Sequence, residues 1–148
     1  MASSSHATSP AAGPAIATAP KPGEDEFRAG WTALRNGDPT GATKLFATAC
    51  SKAHDDAIGE DACFWTGAAA KRANDAATAR AALSRFVARF PNSARAAEAS
   101  ALLGWLLYDA GELDAAEAQF HKADHDRVPK VRDSASKGLE AIARSRAK

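Results

Sequence analysis

Gly30, Gly67 and Gly104 stand 37 residues apart each time, and four further columns keep that interval. Gly37, Asn74 and Gly111 are turn formers; Asp38, Asp75 and Glu112 are acids; Ala42, Ala79 and Ala116 are small; Phe46, Leu83 and Phe120 are large and apolar. Columns with coherent chemistry define an internal repeat, and a period of this length means a stack of similar supersecondary units. Each column has a physical job. A glycine in mid-helix costs about 1 kcal/mol against alanine, so it marks close contact between helices. Gly or Asn at the next column takes the left-handed conformation that closes a helix. The acid after it meets the free N–H groups and the positive dipole end of a second helix. The small residue then lets the second helix approach the first, and the large one, a helical turn on, fills the seam. The predicted unit is an antiparallel helical hairpin.

Composition supports this. The chain is 45% hydrophobic, but much of that is alanine, and Val87, Val128 and Val131 are its only valines. Alanine favours helix and close helix contact, and strand formers are scarce, so the expected fold is all-α with a thin core. Helices are expected at about 24–36, 40–53, 58–73, 76–90, 94–110, 113–125 and 130–146. The last carries Val131, Ala135, Leu139 and Ile142 on one side, as a capping helix must to hide the final apolar face of a stack.

A small-residue or Leu-Gly pair, a turn, then Ala-x-x-x-Phe resembles the tetratricopeptide repeat, with its pattern W-x₂-L-G-x₂-Y…A-x₃-F…P. The third copy fits best, through Leu103-Gly104, Leu107, Gly111, Ala116, Phe120 and Ala123. The first offers Ala29-Gly30, Ala33, Gly37, Ala42, Phe46 and Ala49. The second is weaker, with Thr66-Gly67, Ala70, Asn74, Ala79, Leu83, Phe86 and Pro91. Two departures stand out. The family period is 34, so three extra residues per unit must lengthen a helix or a connector. Glu26, Cys63 and Ser100 replace the family's Trp, and Ala33, Ala70 and Leu107 its Tyr. The connector FVARFPNSARAAEA resembles those of bacterial envelope tetratricopeptide proteins and of similar domains in anti-sigma regulators.

The chain then divides into an Ala/Pro/Ser-rich tether over 1–22, three tetratricopeptide-like repeats over 23–128 (about 23–59, 60–96 and 97–128), and a capping helix with a basic tail over 129–148. The tether holds four of the seven prolines and Lys21 as its only charged side chain, so it cannot bury enough surface to fold. Read as complete, the chain is expected in the cytoplasm; read as a fragment, or as following an anchor, it is expected in the periplasm. No apolar stretch approaches the roughly 18 residues of a membrane span, and a net charge of +1 supplies no global field for nucleic acid or an anionic membrane. Acids cluster over 109–126 and bases over 128–148, a pattern of solvated helix faces.

The resemblance implies a non-enzymatic protein-interaction module that binds a peptide or partner subunit on a concave face lined by the first helix of each hairpin. The alternative is a structural accessory subunit of a bacterial envelope or regulatory assembly. On the first helices one row collects Phe27, Trp31 and Arg35, then Phe64, Ala68 and Arg72, then Ala101, Trp105 and Asp109, with Leu34, Lys71 and Tyr108 beside it. If this row is concave, it offers aromatic anchors and a basic edge to an extended segment bearing an acid or a C-terminal carboxylate. If not, Trp31 and Trp105 are core between repeats. Cys50 and Cys63 bracket SKAHDDAIGEDA; two buried free thiols are the expectation, with a disulfide feasible where the compartment is oxidising. His121 and His125 lie four apart, but a third metal ligand is missing, so a solvated helix end is expected. No nucleophile or phosphate-loop motif calls for catalysis or a cofactor.

Overall fold

The computed structural model describes residues 19–148, so most of the segment expected as a tether over 1–22 lies outside the described residues. Seven helices follow: α1 (Glu24–Arg35), α2 (Pro39–Lys52), α3 (Ala57–Arg72), α4 (Ala76–Arg89), α5 (Ala96–Asp109), α6 (Leu113–Ala123) and α7 (Pro129–Arg146). Among the described residues there is no strand. The architecture is an α-solenoid: α1 packs on α2, α3 on α4 and α5 on α6, and α7 closes the last pair by resting on both α5 and α6.

The repeat columns are the hairpin turns. Gly37, Asn74 and Gly111 all take left-handed φ, at 77°, 58° and 79°. In each turn the next residue's N–H, that of Asp38, Asp75 or Glu112, returns to the carbonyl of Ala33, Ala70 or Leu107 at 2.9 Å. The identical bond closes all three first helices, which is why α1, α3 and α5 end 37 residues apart and α2, α4 and α6 start 37 apart. Asp38 and Asp75 then cap the second helices, accepting from Gly41 N at 2.9 Å and Thr78 N at 3.1 Å. Glu112 does not cap α6. Its longer side chain forms a two-point bond to Arg80 of α4, at 2.8 Å for each oxygen, tying the second hairpin to the third.

The mid-helix glycines admit the large column. A Cβ at Gly30 would lie 2.7 Å from the Phe46 ring, one at Gly67 2.6 Å from Leu83, and one at Gly104 2.7 Å from Phe120. Phe46, Leu83 and Phe120 are fully buried, and together with Phe64, Phe86 and Ile142 they supply the bulk of a core otherwise built largely of alanine. Phe120 is also covered from α7, where a Cβ at Gly138 would meet the tip of the same ring. Val131, Ala135 and Ile142 of α7 are buried, and Leu139 packs beside them.

The three extra residues go to different places in different units. α3 begins at Ala57, four residues ahead of the position matching Glu24, with Asp56 as its N-cap on Gly59 N at 2.9 Å. α5 instead starts after a six-residue connector, Phe90 to Arg95. There Arg95 lies over the rings of Phe64 and Trp65, at 5.0 and 5.6 Å, and Ser93 bonds Glu60.

Candidate functional site

α1, α3 and α5 run side by side, and their open surface follows a stripe at i, i+4, i+7 and i+11. The stripe reads Glu24, Arg28, Trp31 and Arg35 on α1; Asp61, Trp65, Ala68 and Arg72 on α3; Glu98, Leu102, Trp105 and Asp109 on α5. Two depressions lie along it. One, of about 350 Å³, has Phe27, Trp31 and Arg35 of α1 on one side and Ile58 of α3 on the other. The second, of about 290 Å³, lies between α3 and α5 and is lined by Trp65, Ala68, Lys71 and Arg72 with Glu98 and Leu102 opposite. Trp31 and Trp65 meet edge to face, with centroids 4.5 Å apart, and join the two depressions.

Charge divides across this surface. The acids Glu24, Asp61 and Glu98 fall near the helix N-termini, and Arg35, Lys71 and Arg72 fall at the C-terminal ends of α1 and α3, each sign opposing the dipole end beside it. Glu24 pairs with Arg28 at 3.6 Å, and Asp61 with Arg95 at 3.4 Å. Among the described residues no carboxylate pairs with Arg35, Lys71 or Arg72. Arg72 instead lies 5.8 Å over the Trp65 ring, where the aromatic face favours the cation.

The residues anticipated from sequence fall in different environments. Phe27, Trp31, Arg35, Lys71 and Arg72 line the depressions. Leu34 packs inward with Ala42, Phe46 and Ala69. Phe64 must be corrected: it is 1% exposed, packed on Phe86 at 5.5 Å between centroids, and its edge only closes the floor beneath Trp65. Trp105 and Tyr108 are likewise engaged from within the chain. The Trp105 indole donates to Ser134 Oγ at 3.0 Å, and the Tyr108 hydroxyl lies 3.2 Å from Ser145 Oγ, so α7 borders this end of the stripe. Asp109 is exposed at the last turn of α5. Trp65, Leu102 and Glu98 were not anticipated, although Arg28, Trp65 and Leu102 are themselves a 37-residue column.

Cys50 and Cys63 are joined by a disulfide, with Cα atoms 4.8 Å apart, in place of the two free thiols expected. It ties α2 to α3. His121 and His125 both turn to Asp124, at 3.0 and 3.5 Å. Among the described residues no cluster of three or more His, Cys, Asp or Glu side chains is placed to hold a metal, and no helix is long and apolar enough to cross a membrane.

The sequence profile described as Tetratricopeptide repeat matches residues 61–93. These residues take in most of α3, all of α4 and the start of the connector, so the match falls on the second hairpin, the copy whose sequence resemblance is weakest. The second hairpin is a tetratricopeptide repeat. Repeats of this family generally serve protein–protein interaction without catalysis, and stacked hairpins offer extended surfaces for such a role. No curated protein matches the chain as a relative.

Proposed function

We propose that this protein docks an extended acidic segment of a protein partner across the inner stripe of α1, α3 and α5. Apolar side chains of the segment lie against Trp31 and Trp65, and its carboxylates meet Arg35, Lys71 and Arg72. The observation that carries this reading is the depression between α3 and α5, where half-buried Trp65 lies beside two cations that no carboxylate of the described residues neutralises. An aromatic floor gives contact area at little entropic cost, and a guanidinium rim selects carboxylates by two-point bonding. Selection from a random-peptide display library against the folded chain tests it. Enriched peptides should combine an apolar residue with nearby acids. Arg72→Glu should weaken them at least tenfold, about 1.4 kcal/mol, whereas Arg85→Glu on α4 leaves them unchanged. Enrichment of basic peptides, or binding indifferent to Arg72→Glu, would contradict the proposal.

A further inference from the structure

On another face of α3, the groove between α2 and α4 encloses about 710 Å³ and is lined by Cys50, Cys63, Phe86, Arg85 and Arg89 among others. The disulfide forms part of its wall, and its two ends differ. Cys63 is 5% exposed, whereas Cys50 is only half-buried. Arg89, in the last turn of α4, reaches across both. Its Nη1 lies 3.2 Å from the Cys63 sulfur, 3.7 Å from the Cys50 sulfur and 3.3 Å from the Cys50 carbonyl oxygen. Nη2 donates to the Ala53 carbonyl at 3.3 Å, and Nε donates to Asp55 at 2.6 Å. A guanidinium keeps its charge at any physiological pH, and a cation beside a sulfur favours the thiolate over the thiol. In disulfide exchange the sulfur with the more stable thiolate leaves faster. Arg89 stands closer to the sheltered sulfur, while the sulfur of the more exposed residue is left for an incoming group.

We propose that Cys50–Cys63 is a thiol-exchange site for small-molecule thiols, attacked at Cys50 with Cys63 as the leaving group. The lone pair of the incoming thiolate forms a bond to the Cys50 sulfur, and the electron pair of the Cys50–Cys63 bond passes to Cys63, whose thiolate Arg89 holds. A second thiolate then displaces Cys50 from the mixed disulfide. The net change oxidises two small thiolates to one small disulfide and reduces the protein disulfide by two electrons. Asp55 is the carboxylate that offsets the Arg89 charge, so it restrains the exchange. Ile58, a wall of the Trp31 depression, lies between the two cysteines, so exchange removes a covalent restraint on a segment bordering the inner face.

The test treats the folded full chain with reduced glutathione, quenches with N-ethylmaleimide and maps the products by mass. The expected product carries glutathione on Cys50 and maleimide on Cys63, formed faster than the chain unfolds globally by hydrogen exchange in the same buffer. Arg89→Gln should slow its formation roughly three- to tenfold, and Asp55→Asn should accelerate it. Both substitutions remove a contact to the α2–α3 connector, so a purely structural role for the pair would shift both rates the same way. Glutathione on Cys63, a rate equal to global unfolding, or both variants moving in one direction would overturn the proposal.

Discussion

Phe120 measures how tightly single residues are specified. Its ring is fully buried between Gly104 of α5 and Gly138 of α7, two positions where even a methyl group would collide with it. Gly104→Ala therefore sets two effects against each other. Helix propensity gains about 1 kcal/mol, and overpacking a ring with no room to shift costs about 1–3 kcal/mol. Because the added Cβ would stand 2.7 Å from a side chain enclosed on both sides, the steric cost wins. A lowered urea midpoint with an unchanged m-value is the expected result; a raised midpoint would show that the glycine is not a packing requirement. Gly37 is constrained differently. A Cβ there meets nothing within 4 Å, but φ of 77° is a conformation that other residues adopt at a cost. The 37-residue spacing exposes both positions in the sequence, although it cannot distinguish the two causes.

At the scale of the helix, ends were legible and faces were not. The ends at the hairpin turns are set by Gly37, Asn74 and Gly111 and by the Asp38 and Asp75 caps, which are local signals, and all seven expected helices lie within two residues of those observed. The docking row was expected at steps of four, as Phe27, Trp31 and Arg35. Two such steps turn about 80° past a full rotation count on a helix with 3.6 residues per turn. That drift took Phe64 for an open residue and passed over Trp65, its neighbour on the true stripe. The helix-to-helix ion pairs were also illegible, because a pair such as Arg80 with Glu112 depends on how one hairpin sits on the next. The hydrogen bond from Arg80 holds the Glu112 carboxyl below its ordinary value, as the Lys52 bond does for Glu26 and the Thr78 bond for Asp75. A carboxylate lowered in the folded state adds stability that is complete above the ordinary carboxylate range and is lost as pH falls through the lowered values. Thermal midpoints should therefore fall on acidification below about pH 4, and more gently at high salt because Asp75 and Glu112 are exposed. Glu112→Gln should flatten part of that acid slope; a slope identical to the parent's would remove the Arg80 pair from the account.

The whole molecule is asymmetric although its parts repeat. All three tryptophans are half-buried, but at the C-terminal end Trp105 and Tyr108 are bonded to Ser134 and Ser145 of α7, whereas Trp31 and Trp65 border open depressions and share their surface with Arg35, Lys71 and Arg72. A stack of hairpins gains its stability between neighbours, so members of one aromatic column meet different partners: Trp31 packs on Trp65 of the next hairpin, and Trp105 bonds Ser134 of the capping helix. The sequence shows equivalent tryptophans in the first and third hairpins; only assembly decides that Trp105 is bonded to a capping helix. The most direct measurement of the central claim is an NMR titration that follows the three indole N–H resonances as an acidic peptide from the display selection is added. The inner-face account predicts that the Trp31 and Trp65 signals shift with a common Kd while Trp105, bonded to Ser134, stays in place. Saturable binding that leaves Trp31 and Trp65 unmoved would contradict it.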